Sequence, residues 1–117
     1  MTDRGTAELV SAAVVNYNAR DYLLESIASL RREQLSDVVV ADNASVDGSE
    51  AAVRAADPDV TYVQTGANLG YGTGVNRAVA RTIGDQPFLL CLNADARVEP
   101  GAVAAMLAAF DGRPEVG

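Results

Sequence analysis

A chain of 117 residues, 49% hydrophobic and 21% charged, has the composition of one folded domain or a piece of a larger one, not of a disordered segment. Its formal charge of −7, from 9 basic and 16 acidic residues, lacks the clustered cations that hold double-stranded nucleic acid. All nine basic residues are arginine and there is no lysine or histidine, which excludes from this segment a phosphate-loop lysine, a Schiff base, a histidine general base and a histidine-ligated metal.

Residues 1–8 are polar, without the apolar core of a signal peptide, and no run approaches the roughly 18–20 apolar residues of a membrane span. Residues 9–15 predict a first strand, broken at Asn16-Tyr17-Asn18. Asp21 is placed to cap a helix running to about Arg32, with Tyr22, Leu23, Ile27 and Leu30 on its apolar face. Residues 37–41 form a short β-branched strand. A polar loop over 42–49 follows, in which Ser49 or Asp47 is placed to cap an alanine-rich helix through Ala56. Residues 60–64 are a third strand. The next ten residues carry Gly66, Gly70, Gly72 and Gly74 and run into a helix to about Ile83, with Val75, Ala78, Val79 and Ile83 on one side. Residues 88–92 are five consecutive apolar positions, the pattern of a strand buried on both faces, with Cys91 inside it as a small reduced hydrophobe. After Glu99-Pro100-Gly101 a last helix buries Val103, Met106, Leu107 and Phe110, and residues 111–117 read as a turn.

Strand and helix alternate throughout, which predicts an α/β fold of the doubly wound, Rossmann-like type: four mostly parallel strands in a three-layer α/β/α arrangement that stops short of a full domain. In such a sheet the carboxyl ends of the strands open on one edge, where ligands bind. Three of these ends carry amides or carboxylates: Asn16 and Asn18, Asp42 and Asn43, Asn93 and Asp95; the remaining one carries the glycine-rich loop. Glycines let backbone approach a ligand, and amides at a helix N-terminus suit an anionic oxygen. An acidic chain that binds a diphosphate must counter like-charge repulsion locally, and Asp95 is placed to hold a divalent cation that does so. Plainer roles exist for each group: Asn93 and Asp95 as turn formers, residues 43–49 as an Asx-turn, Tyr17 as a lid on the core, Arg77 as a solvated cation, the glycines as left-handed turns. A dinucleotide fingerprint fails, since it needs glycine at Val75 or at Arg77.

Val14-Val-Asn-Tyr-Asn18, Val40-Ala-Asp-Asn-Ala-Ser-Val-Asp-Gly-Ser49, Gly66-Ala-Asn-Leu-Gly-Tyr-Gly-Thr-Gly-Val-Asn76 and Leu92-Asn-Ala-Asp95 resemble, in order and spacing, the family-2 inverting glycosyltransferases of the GT-A fold. Within that family they are most similar to the bacterial rhamnosyltransferase-like branch, which builds cell-wall and O-antigen linkages. The resemblance implies that Val15 and Tyr17 line a base pocket and that Asp42 hydrogen-bonds the base. It places Asn68, Gly70 and Asn76 near the diphosphate and donor sugar. Asn93 and Asp95 then stand at the two ends of the family's acidic motif, with Asp95 holding Mg²⁺ or Mn²⁺ against the phosphates and Asn93 beside the nucleotide. Only one carboxylate of that motif is left in Asn93-Ala94-Asp95.

The implied donor is a dTDP- or UDP-linked sugar, rhamnose first, and the implied acceptor a glycan or lipid-linked acceptor met by the full-length protein. The family's general base and acceptor site come from a later half, so no residue of this chain is assigned as catalytic base. Nucleic acid is excluded as a partner, no transmembrane segment is expected, and a cytoplasmic location is, with a peripheral place at the inner face of the membrane open to the full-length protein. An alternative of a different class keeps the fold as a non-catalytic nucleotide- or partner-binding module. In either case the chain exposes the face where later strands are expected to pair, and unpaired edges invite association.

Overall fold

The computed structural model of the chain describes residues 5–84 and 86–111. A short α1 (Thr6–Leu9) leads into β1 (Val10–Asn16), followed by α2 (Arg20–Arg32), β2 (Asp37–Asp42), α3 (Ser49–Ala56), β3 (Thr61–Gln64), α4 (Tyr71–Val79), β4 (Phe88–Asn93) and α5 (Ala102–Asp111). The four strands form one parallel sheet in the order β3-β2-β1-β4. The chain therefore steps outward from β1 to β3, then crosses back over the sheet to place β4 on the other side of β1. That reversal is a topological switch point, the place where an open α/β sheet parts to admit a ligand. Register brings the strand ends level: Asn16 lies opposite Asp42, Asp42 opposite Gln64, and Val15 opposite Asn93.

The central strands β1 and β2 are buried at every position, as their near-continuous Val and Ala runs require between two helical layers. One face packs Val10, Ala12, Val14, Val38 and Val40 against Leu23, Ile27 and Leu30 of α2, Val53 of α3 and Val103 of α5. The other face is built from small residues, Ala13, Val39 and Ala41, and takes Ala78 of α4. Their size lets α4 come close: a Cβ on Gly74 would stand 2.8 Å from Val15 Cγ1, closer than atoms tolerate.

The two-sided burial expected for the fourth strand is not found. Phe88, Leu90 and Leu92 are half-buried against the core, whereas Leu89, Cys91 and Asn93 are exposed. The cause is position: β4 is the sheet's edge, and α4 lies over β1 and β2 and leaves β4 uncovered. Cys91 is thus exposed, not a core residue. Four other expected core positions also face outward, with Tyr22 62%, Met106 41%, Val79 37% and Ile83 61% exposed. Tyr22 belongs to the first turn of α2, and Ile83 lies past the end of α4, where its N–H donates to Asp37 Oδ2 at 2.9 Å.

The start of α2 is capped from a distance and that of α3 locally, by the same residue. Asp21 caps nothing: α2 begins at Arg20, whose N–H donates to Asp47 Oδ2 at 2.9 Å. The other Asp47 oxygen receives the Ser49 N–H at 3.1 Å and the Ser49 hydroxyl, at the first residue of α3. One carboxylate therefore serves two helix N-termini, where negative charge is favoured. Its partial burial opposes ionisation, but the hydrogen bonds from the Ser49 side chain and from the Arg20 and Ser49 backbones outweigh it and hold the carboxyl below its ordinary range.

Candidate nucleotide-binding cleft

A cleft of about 320 Å³, lined by both apolar and polar groups, opens at the carboxyl ends of β1 and β4. Val15, Tyr17 and Ala19 form the wall contributed by β1 and its exit, and Asn43 comes from the loop after β2. The glycine-rich loop adds Asn68, Gly70 and Tyr71, and the exit of β4 adds Asn93, Ala94 and Asp95. Of the residues expected in the site, Val15, Tyr17, Asn68, Gly70, Asn93 and Asp95 are brought together here. Tyr17 is 51% exposed and lines the opening. Asp95 is exposed and lines the same cleft.

Asp42 is placed under this cleft, not in its lining. Side chains alternate along β2, so Asp42 falls on the face of Val38 and Val40, and Asn43 on the face of α4. Asp42 is 1% exposed and both of its oxygens are engaged. Oδ1 accepts the Ser45 N–H at 2.9 Å, and Oδ2 accepts the Tyr62 hydroxyl and, at 3.4 Å, Gln64 Nε2. Burial, and then the hydrogen bond to the Asp42 carboxylate, push the Tyr62 phenol far above its usual range, so it is a permanent donor. Asn16, also fully buried, donates to Ser45 Oγ at 3.2 Å and accepts the Ala19 N–H at 3.2 Å. Asn18 accepts the Val46 N–H at 2.8 Å. These strand-end groups tie the loops after β1 and β2 together and give the cleft a fixed floor.

Asn43 does what the sequence left open. Its Nδ2 donates to Gly70 O at 3.1 Å, and its Oδ1 accepts Thr65 Oγ1 at 2.8 Å, so one buried amide pins both ends of the glycine-rich loop. Gly70 adopts φ 86° and ψ 171°, a conformation almost closed to other residues, and turns the chain into α4. The first N–H groups of α4 have no intrahelical acceptor, and its first residue, Tyr71, lines the cleft with Gly70. Asn76 lies a turn further along α4, exposed and outside the lining, as does Arg77. Ala19, Tyr71 and Ala94 were not singled out from the sequence, and only Tyr71, next to the turn glycine, carried a signal.

Among the described residues no group of three or more acidic, cysteine or histidine side chains is arranged to hold a metal. Asp95 is the one carboxylate in the cleft lining. That donor set fits a hard cation carried in by a diphosphate, with phosphate and water oxygens completing its shell, and does not fit a cation held by protein alone.

An open parallel sheet of this order, with a cleft at its switch point and a glycine loop feeding a helix N-terminus, has the GT-A fold. More particularly, residues 11–117 match the family model for glycosyl transferase family 2, and the chain belongs to that family. It is 34% identical over 121 residues to N-acetylglucosaminyl-diphospho-decaprenol L-rhamnosyltransferase of Mycobacterium tuberculosis strain CDC 1551 / Oshkosh, and equally to that of strain ATCC 25618 / H37Rv. The alignment takes in 94% of this chain but 39% of those relatives, so the chain spans about two fifths of their length. A crystal structure of S. aureus TarS 1–349 superposes with a TM-score of 0.75 at 23% identity, over 91% of this chain and 33% of that one. The same protein in complex with UDP gives 0.76 over the same shares. At that identity the likeness is one of fold. No helix among the described residues is long and apolar enough to cross a membrane.

Proposed function

We propose that the chain is the donor-binding part of an inverting, metal-assisted glycosyltransferase, which moves a sugar from a dTDP- or UDP-linked donor to a glycan or lipid-linked acceptor. The observation that carries this reading is the meeting of Tyr17 and Asp95, from the ends of two adjacent strands, in one cleft. Rhamnose is the sugar favoured, because the curated relatives are named as L-rhamnosyltransferases acting on a diphospho-decaprenol-linked N-acetylglucosamine. TarS crystallised with UDP supports a nucleoside diphosphate in the equivalent fold.

In this reading the exposed ring of Tyr17 and the apolar Val15 receive the base, and the backbone around Asn68 and Gly70 and the start of α4 face the diphosphate. Asp42 reaches the base only by exchanging its longest hydrogen bond, from Gln64 at 3.4 Å, for one from a base N–H. Asp95, with the side-chain oxygen of Asn93 beside it, would hold Mg²⁺ or Mn²⁺. Bound there, the cation supplies neutralisation of the charge that gathers on a departing nucleoside diphosphate. Asn76 carries no part of the cleft. No residue of the chain is assigned as the base that deprotonates the acceptor, which is expected in the part of the relatives that this chain does not span.

Calorimetric titration of UDP and dTDP with and without Mn²⁺ tests the proposal. Mn²⁺ tightens binding, and Asp95→Ala abolishes the tightening. Binding indifferent to Mn²⁺, or an undiminished response in Asp95→Ala, would overturn it. Sugar transfer by the 117-residue chain alone stays at background in this reading; robust turnover would show that a base lies within it.

A further inference from the structure

A carboxylate that must meet a diphosphate-bound cation needs its turn held still, and Asp95 sits on an exposed one. On the strand side the turn is fixed locally: the Ala94 N–H donates to Val15 O and the Ala96 N–H to Asn93 O, both at 2.9 Å. On the exit side, residues 96–101 have no helix or strand to take up their N–H groups, and those that are buried must find other acceptors. The acceptors are on α2 and at the residue that ends it. The hydroxyl of Ser29, a fully buried residue, accepts the Val98 N–H at 3.0 Å while donating its own proton to Ser26 O at 2.6 Å. At the end of the helix Glu33 takes the Gly101 N–H on Oε2 and the Val103 N–H on Oε1, both at 3.2 Å, and so caps α5 from another helix. Ala94 and Val98 are packed into the same core as Leu23, Ile27 and Leu30, so the segment cannot swing without opening that core. Because α2 starts just after Tyr17, one rod carries the nucleoside wall at its head and fastens the Asp95 wall along its side.

We propose that Ser29 and Glu33 are positioning residues for Asp95: they touch no ligand, and they set the strength of cation-assisted binding by fixing the exit of the Asp95 turn. This rests on Asp95 being the cation-holding residue of the proposed function.

The measured quantity is the factor by which Mn²⁺ tightens UDP or dTDP binding to the full chain, read by calorimetry. Ser29→Ala lowers that factor about tenfold, as loss of a group orienting a metal ligand does, and leaves metal-free affinity unchanged. Ser29→Thr keeps the hydroxyl and retains most of the factor. Added to Asp95→Ala, Ser29→Ala changes nothing further, because both act through one carboxylate. Should Ser29→Ala not fold, Glu33→Ala is read in the same way from a half-buried site at the helix end. An unchanged factor in both variants overturns the proposal, and so does an equal loss with and without Mn²⁺, the outcome of a merely structural role. A factor that depends on Asp95 but not on Ser29 or Glu33 sinks the positioning claim alone. A wild-type chain that Mn²⁺ does not affect, or an Asp95→Ala chain that responds fully, sinks the reading of Asp95 and this claim with it.

Discussion

Asp42 and Asn43 are neighbours with opposite tasks, and one bond's worth of strand alternation separates them. Asp42 is turned into the layer below, where Tyr62, Ser45 and Gln64 share its oxygens; Asn43 is turned to the glycine loop. Tyr62→Phe removes one donor from a buried carboxylate, and a stability loss of about 1–3 kcal/mol by urea denaturation is the expected result. A loss near zero would mean that water or a neighbour replaces the phenol. Gly74→Ala tests the floor from the other side, since the new methyl group would press on Val15 and cost about 1–3 kcal/mol of overpacking. Gly72 is the contrast: a Cβ there meets nothing within 4 Å. From sequence, the residues ending each strand were legible as a polar set, because strands must end somewhere and turn residues mark the place. Which of two adjacent polar residues enters the cleft was not, because it depends on how far β2 runs before the chain leaves the sheet, and β2 runs one residue further than its apolar stretch.

At the scale of elements, the alternation of strands and helices was readable from periodicity, and every expected element is present. Burial of an element was readable only where both neighbours were implied. The run 88–92 is apolar throughout, yet β4 is half-exposed because its place in the sheet is set by a crossover and not by its own residues. One helix start was legible and the other was not: Asp47 meets the start of α3 from two residues away, as local spacing indicates, but it also takes the Arg20 N–H of α2 across the fold, where local spacing had nominated Asp21. Cys91 reports on the edge directly. In the folded chain it reacts with a disulfide reagent such as Ellman's, where a core thiol would need unfolding first. Partial burial raises its pKa, so thiolate and rate keep increasing as pH climbs beyond the ordinary thiol value of about 8.5. Protection under native conditions would place β4 inside a covered sheet.

The molecule as a whole joins a charge of −7 to a cleft proposed to take an anion, with no histidine to titrate near neutrality. The doubly wound pattern could be read from the chain, but the sheet order could not, since nothing in residues 88–93 states that they pair with β1 and not with β3. That pairing is what sets Asp95 in one cleft with Tyr17. The acidic surface carries specific carboxylate contacts. Two of these are displaced in titration. Asp47 lies below its ordinary value because hydrogen bonds from Ser49 and the Arg20 and Ser49 backbones outweigh burial, and Glu50 does so through hydrogen bonds from Gln64 and Arg54. A carboxyl depressed in the folded state stabilises fully above its unfolded pKa, about 3.9 for Asp and 4.3 for Glu, and loses that contribution as pH falls through the folded value. The urea midpoint therefore changes little from about pH 5.5 to 7.5, then falls below about pH 4. In Asp47→Asn the neutral-pH midpoint drops, because the amide cannot accept as strongly at two helix N-termini, while the acid-side decline becomes shallower. A steep slope between about pH 6 and 7 in the parent chain, or an unaltered acid limb in Asp47→Asn, would show that carboxylates other than these govern the acid stability of the fold.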